Sequence, residues 1–197
     1  MNKRGRVLGL AATAALTACV SAAILTTQAP ASAAQATGHA RVNAKTSTPS
    51  CRASNLGVWV AADQGDGTLG TIYFPLEFTN LSTHTCTLDG FPGVSAIDNT
   101  GQQLGDSADW DHSVPAQKVT LTPGATGYAM LAYHDAVAGS CPPADLRTPT
   151  ELQIYPPNQT FADHAIWDSP VCTAPGLTNN LTVRVIAPGI GVRGDTG

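Results

Sequence analysis

Apolar residues recur at every second position over much of the chain from Cys51 onward. Leu56, Val58 and Val60 alternate with Gly57, Trp59 and Ala61, and Ile72, Phe74, Leu76 and Phe78 alternate with Tyr73, Pro75, Glu77 and Thr79. A period of two puts each apolar set on one face of a strand. Trp59, set among valines, is expected to pack inside. Pro75 has no N–H to give to a ladder, so its strand is expected at a sheet edge or bulged there. Further strands are predicted at Val94–Asp98, Gln117–Leu121, Thr126–Tyr133, Glu151–Tyr155, Ala165–Trp167 and Leu181–Ile186. Turn signals separate them: Asp66-Gly67, Asp89-Gly90, Pro92-Gly93, Asn99-Thr100-Gly101 and Pro123-Gly124. A helical period is not sustained anywhere beyond one turn at Pro142–Leu146, and there is no internal repeat. Many short strands between Gly/Pro turns predict an all-β fold, an antiparallel sandwich or barrel.

Residues ahead of Cys51 follow another pattern. Lys3, Arg4 and Arg6 precede an apolar run from Val7 to Leu25, and Ala31-Ser32-Ala33 supplies small residues for signal peptidase. Residues 1–33 therefore read as a secretion signal. No basic stop-transfer flank follows and no second apolar run exists, which argues against a membrane anchor. Leu16-Thr17-Ala18-Cys19 is an alternative cleavage point, a lipobox ending a lipoprotein signal at residues 1–18 and lipidating Cys19. The apolar stretch Val20–Leu25 argues for the first reading, because a lipoprotein tether is usually polar straight after its cysteine. Residues 34–50, rich in Ala, Thr, Ser and Gln, read as a flexible low-complexity spacer. The domain is placed at 51–188, with a flexible tail at 189–197.

Composition narrows the partners. Of ten basic residues three leave with the signal, whereas all fourteen acidic ones stay, giving a mature net charge of −7. That balance argues against nucleic acid, and against a membrane partner unless Cys19 is lipidated. Four cysteines remain in the domain: Cys51, Cys86, Cys141 and Cys172. In an exported chain they read as two disulfides. Zinc would need close pairs such as C-x-x-C, and none occurs. Of the three connectivities, Cys51–Cys86 with Cys141–Cys172 is favoured, closing two separate loops of similar length.

Thr79-Asn80-Leu81-Ser82, followed by Cys86-Thr87-Leu88-Asp89-Gly90-Phe91-Pro92-Gly93, resembles an actinobacterial secreted family of unknown function, marked by T-N-x-[ST] and C-x-L-x-G-[FY]-P-G. Leu121-Thr122-Pro123-Gly124, Tyr155-Pro156-Pro157 and Val171-Cys172 agree with it, over about Cys51 to Pro188. The chain departs in the long Thr173–Asn180 insertion, and in Gly127 where alanine is commoner. The resemblance implies an immunoglobulin-like β-sandwich, exported or lipid-anchored, and supplies no catalytic residues. The block itself reads as turn chemistry, with Gly90 and Gly93 taking angles other residues avoid and Phe91 plugging the end of the core.

Candidate chemistry is sparse. Gly105-Asp106-Ser107-Ala108, preceded by His84 and Asp98, has the residue order of a serine-protease triad. Only 23 residues separate His84 from Ser107, too few for the two barrels that assemble such a site. The chain is read as no enzyme, without a cofactor. Asp106, Asp109 and Asp111 form a weak calcium candidate in an acidic loop. The histidines at 84, 112, 134 and 164 lack metal-ligand spacing. Trp110 and Trp167 lie in polar contexts and are the candidate binding surface. The resulting expectation is a non-catalytic extracellular or cell-envelope module, binding or structural, that recognises a protein, peptide or glycan through loops at one end. The alternative is a secreted protease inhibitor presenting Ser140-Cys141-Pro142-Pro143.

Overall fold

The longest alternating run in the sequence becomes the longest strand, and a large sheet is assembled around it. The computed structural model describes residues 47–61, 66–68, 70–136 and 141–191. The signal, Cys19, most of the spacer, Ser140 and the last six residues of the tail lie outside the described residues. In chain order the strands are β1 (Leu56–Val60), β2 (Asp66–Thr68), β3 (Thr71–Asn80), β4 (Cys86–Asp89) and β5 (Gly93–Ile97). Then come β6 (Asp109–Asp111), β7 (Lys118–Leu121), β8 (Thr126–His134), β9 (Leu146–Arg147) and β10 (Glu151–Tyr155). The last are β11 (Asp163–Ile166), β12 (Val171–Cys172), β13 (Leu181–Arg184) and β14 (Ala187–Pro188). The helical signal at Pro142–Leu146 is a 3₁₀ turn at Pro143–Asp145. The protein is all-β: the described residues contain no α-helix, and none of their helical turns is long and apolar enough to cross a membrane.

A seven-stranded sheet runs β1-β3-β8-β13-β6, with β2 also on β3 and β14 also on β8. The β3–β8 ladder extends from Thr71↔His134 to Thr79↔Thr126. This corrects the expectation for Pro75, whose strand lies between partners on both sides. Its carbonyl accepts the N–H of Ala61, and in an antiparallel ladder N and O of one residue point the same way. The nitrogen of Pro75 therefore faces the place where β1 has ended and β2 has not begun, where a missing N–H costs little. Gly127 also has a reason: a Cβ there would lie 3.1 Å from the carbonyl oxygen of Ala187 in β14, the antiparallel neighbour of β8.

A three-stranded sheet, β11-β10-β5, and two pairs, β4–β7 and β9–β12, complete the ladders. Their inner faces share one apolar cluster with the large sheet. Leu76, Phe78 and Leu131 meet Val94, Ala96, Leu152 and Ile154, together with Leu88, Val119 and Leu121, all buried. Each such side chain contributes about 1.5–3 kcal/mol on burial. Trp59 is not among them; it lies on the outer face of β1 and is 41% exposed.

The disulfides join Cys51 to Cys86 and Cys141 to Cys172, across sequence separations of 35 and 31, as the loop lengths favour. The first is part of the main core, whereas the second sits in a small separate cluster with Ala136 and Ala174.

Candidate binding surface at an aromatic corner

The Asp89–Gly93 corner is shaped by Gly90, whose φ of +103° is open to glycine at little cost. Gly93 does not share that role. It lies in β5 without a positive φ, and a Cβ on it would make an ordinary 3.5 Å contact with Tyr155. Phe91 departs from expectation as well. It is only half-buried and, instead of plugging the core, stacks on Trp110 with ring centroids 5.3 Å apart and planes 13° from parallel. His112 meets Phe91 edge-on at 4.8 Å and Trp110 at 6.3 Å. The indole Nε1 of Trp110 donates to the carbonyl of Pro92 at 3.2 Å. Trp110 is thus held by a ring, a hydrogen bond and the β6 backbone, yet remains 53% exposed. Aromatic pairs of this kind are worth about 0.5–1.5 kcal/mol beyond burial, enough to hold the indole in one orientation before any partner arrives.

Trp167, the other half of the expected surface, is a correction. It is only 4% exposed, packed edge-on between Phe74 (4.9 Å) and Tyr133 (5.7 Å). The parity of β11 explains this: Ala165 and Trp167 turn inward, while His164 and Ile166 turn to solvent.

The acidic residues flanking Trp110 also behave differently from a calcium loop. Asp109 and Asp111 belong to β6, which pairs in parallel with β13. Thr178 donates to Asp106, and the Asn179 side-chain amide donates to Asp109. Asp111 accepts the Ser113 N–H at 2.9 Å and pairs with the Arg184 guanidinium at 3.1 Å. Hydrogen bonds from Ser113 foremost, with help from Arg184, hold its carboxyl below the usual carboxylate range. The three carboxylates are spent on holding the Thr173–Asn180 insertion and β13. Among the described residues no group of three or more acidic, His or Cys side chains is placed to hold a metal ion.

The triad-like residues make their bonds elsewhere. Ser107 Oγ shares a hydrogen bond with Ser95 (2.9 Å) and accepts from Gln103 (3.3 Å). His84 Nδ1 lies 3.1 Å from the Thr83 hydroxyl, and Asp98 accepts from Thr100 and Gln102.

Two buried asparagines carry structural roles that sequence reasoning missed. Asn80 donates from Nδ2 to the carbonyls of His84 (2.8 Å) and Leu121 (3.0 Å), and accepts from the Ser82 N–H and hydroxyl. Asn180 accepts the Cys172 N–H at 2.7 Å. For Asn80 the available signal is the Asn-x-Ser spacing, which suits a side chain capping its own turn.

A model of the domain of unknown function DUF4232 matches residues 51–187, and the chain belongs to that family. No curated protein and no solved structure matches it.

Proposed function

We propose that this DUF4232 domain is a non-catalytic, extracellular binding module. Its sheets form an immunoglobulin-like sandwich, and it recognises a protein or glycan partner through Trp110, Phe91 and His112. The observation that carries this reading is the exposure of Trp110 combined with its fixed orientation. A large aromatic surface that is already ordered gives contact area at low entropic cost. The secretion signal at residues 1–33 and the two disulfides support an oxidising compartment outside the cell, with an actinobacterial source implied by the corner motif. Lipid anchoring through Cys19 is the alternative form of the same module; Cys19→Ala followed by membrane fractionation separates the two. To test the binding role, the purified protein is presented to native cell wall, secreted proteins and a glycan panel beside a folded Trp110→Ala variant. Retention that depends on Trp110 supports the proposal, and retention unaffected by the substitution overturns it. Peptide or ester turnover abolished by Ser107→Ala would overturn the non-catalytic reading.

One observation favours the inhibitor reading as a second possibility. Pro142 is exposed and extended (φ −57°, ψ 135°), immediately beside the Cys141–Cys172 bridge. Stoichiometric inhibition of subtilisin or trypsin supports that reading, and its absence removes it.

A further inference from the structure

A second concavity lies apart from the aromatic trio. The turn at 52–54 and the loop at 158–163 line an open cleft of about 580 Å³, within the range of small-molecule sites. Its walls are held from behind. Asn158, at a φ of +60°, donates its amide to the Asp89 carbonyl at 2.9 Å, and Gln159 Oε1 accepts the Ala53 N–H at 3.2 Å. Those amides are therefore occupied in building the site.

The chemistry facing the cleft is a guanidinium, a carboxylate and an aromatic ring. Arg52 is exposed, and Phe161 is 77% exposed. Asp163 is half-buried; its Oδ2 is shut away from solvent without a hydrogen-bond partner, so a ligand in the cleft meets this carboxyl through Oδ1. Burial pushes its carboxyl above the usual range, although neighbouring His164 pulls the other way. A carboxylate that is poorly solvated gains more from each donor brought to it. Arg52 and Asp163 line one cleft without pairing with each other. A neutral saccharide would leave both charges without a counter-charge on desolvation, and a simple anion or cation would leave one. A zwitterion answers both.

We propose that this cleft binds a di- or tripeptide with both termini free, its ammonium on Asp163, its carboxylate on Arg52 and an apolar side chain against Phe161. The site shares no lining residue with the Trp110 corner. The test is amide-resolved NMR titration of the purified protein with Gly-Phe, N-acetyl-Gly-Phe, Gly-Phe-amide and a chitin disaccharide, each to millimolar concentration. The free dipeptide is expected to shift the amides of residues 52–54 and 158–163. Arg52→Gln and Asp163→Asn should each weaken it about tenfold, the scale of one charge-assisted contact. Trp110→Ala should leave it unchanged, which separates this site from the reading above. The proposal is overturned if capped peptides bind as tightly, if the disaccharide alone binds, if no ligand shifts the cleft, or if the response depends on Trp110. Both cleft substitutions are conservative, and Asp163→Asn relieves a buried charge, so loss of fold is not the expected outcome.

Discussion

Two tryptophans in similar polar surroundings end in opposite environments, and the difference lies in what each ring can satisfy. Trp110 finds an acceptor for its N–H and keeps one face open. Trp167 is sealed among Phe74 and Tyr133, with Nε1 unpartnered. Trp167→Ala should therefore cost about 4 kcal/mol, as large aromatic truncations in cores do. Trp167→Phe should cost far less, because it keeps most of the ring and removes the orphan donor. Urea denaturation of the pair checks this, and equal losses would show that ring packing is not what matters. Asp163 gives a pH-dependent counterpart. Its folded pKa is raised by burial, so its contribution to stability is present below the unfolded value and is lost as pH rises through the folded one. Asp163→Asn should then be more stable than the parent at pH 7, the advantage vanishing at acid pH where the parent is also neutral. Thermal melts across pH 3–8 measure it; a constant difference at all pH values would contradict the assignment.

Among elements, alternation located most of the long strands because each carries its own signal. Glu151–Tyr155 matches β10 residue for residue, and β1, β7 and β8 begin or end within a residue of their predicted limits. What escaped are pieces held by distant partners. Asp109-Trp110-Asp111 is too short to show a period, and its parallel partner β13 lies about seventy residues away. The aromatic corner was half legible for the same reason. Phe91, Pro92 and Trp110 stand out in the sequence, but only the tertiary fold stacks one on another and withdraws Trp167. The opposite end of β4 depends on Asn80, whose side chain joins the 81–85 loop to the end of β7. Asn80→Ala should lower stability by about 2–3 kcal/mol, since it strands buried partners, and calorimetry should show the melting point falling by roughly 5–10 °C. Asn80→Asp tests the cause. It keeps the shape but turns a donor into an acceptor facing two carbonyls, so it should be at least as damaging; a neutral Asp variant would assign the effect to packing.

At the scale of the molecule, the cysteines tie together regions that the sheets connect unequally. In the chain-entropy model the two loops, 35 and 31 residues long, would each contribute about 3.7 kcal/mol. The surroundings break that equality. Cys51 and Cys86 are buried within the cluster shared by all the main sheets, and their bridge holds the start of the domain against β4. Cys141–Cys172 closes a small peripheral cluster next to the 3₁₀ turn. Replacing Cys51 and Cys86 by alanine removes the cross-link and also opens space in the core, so it should cost about 5 kcal/mol, loop entropy plus part of a core truncation. Replacing Cys141 and Cys172 should cost closer to the loop term alone. If the inhibitor reading is right, the second replacement would also abolish inhibition while the domain stays folded, because the bridge would be what stiffens Pro142. Urea midpoints for the two double variants, read together with the protease assay, decide between these outcomes: equal stability losses would refute the unequal burial of the bridges. Inhibition that survives without Cys141–Cys172 would refute its role in presenting that loop.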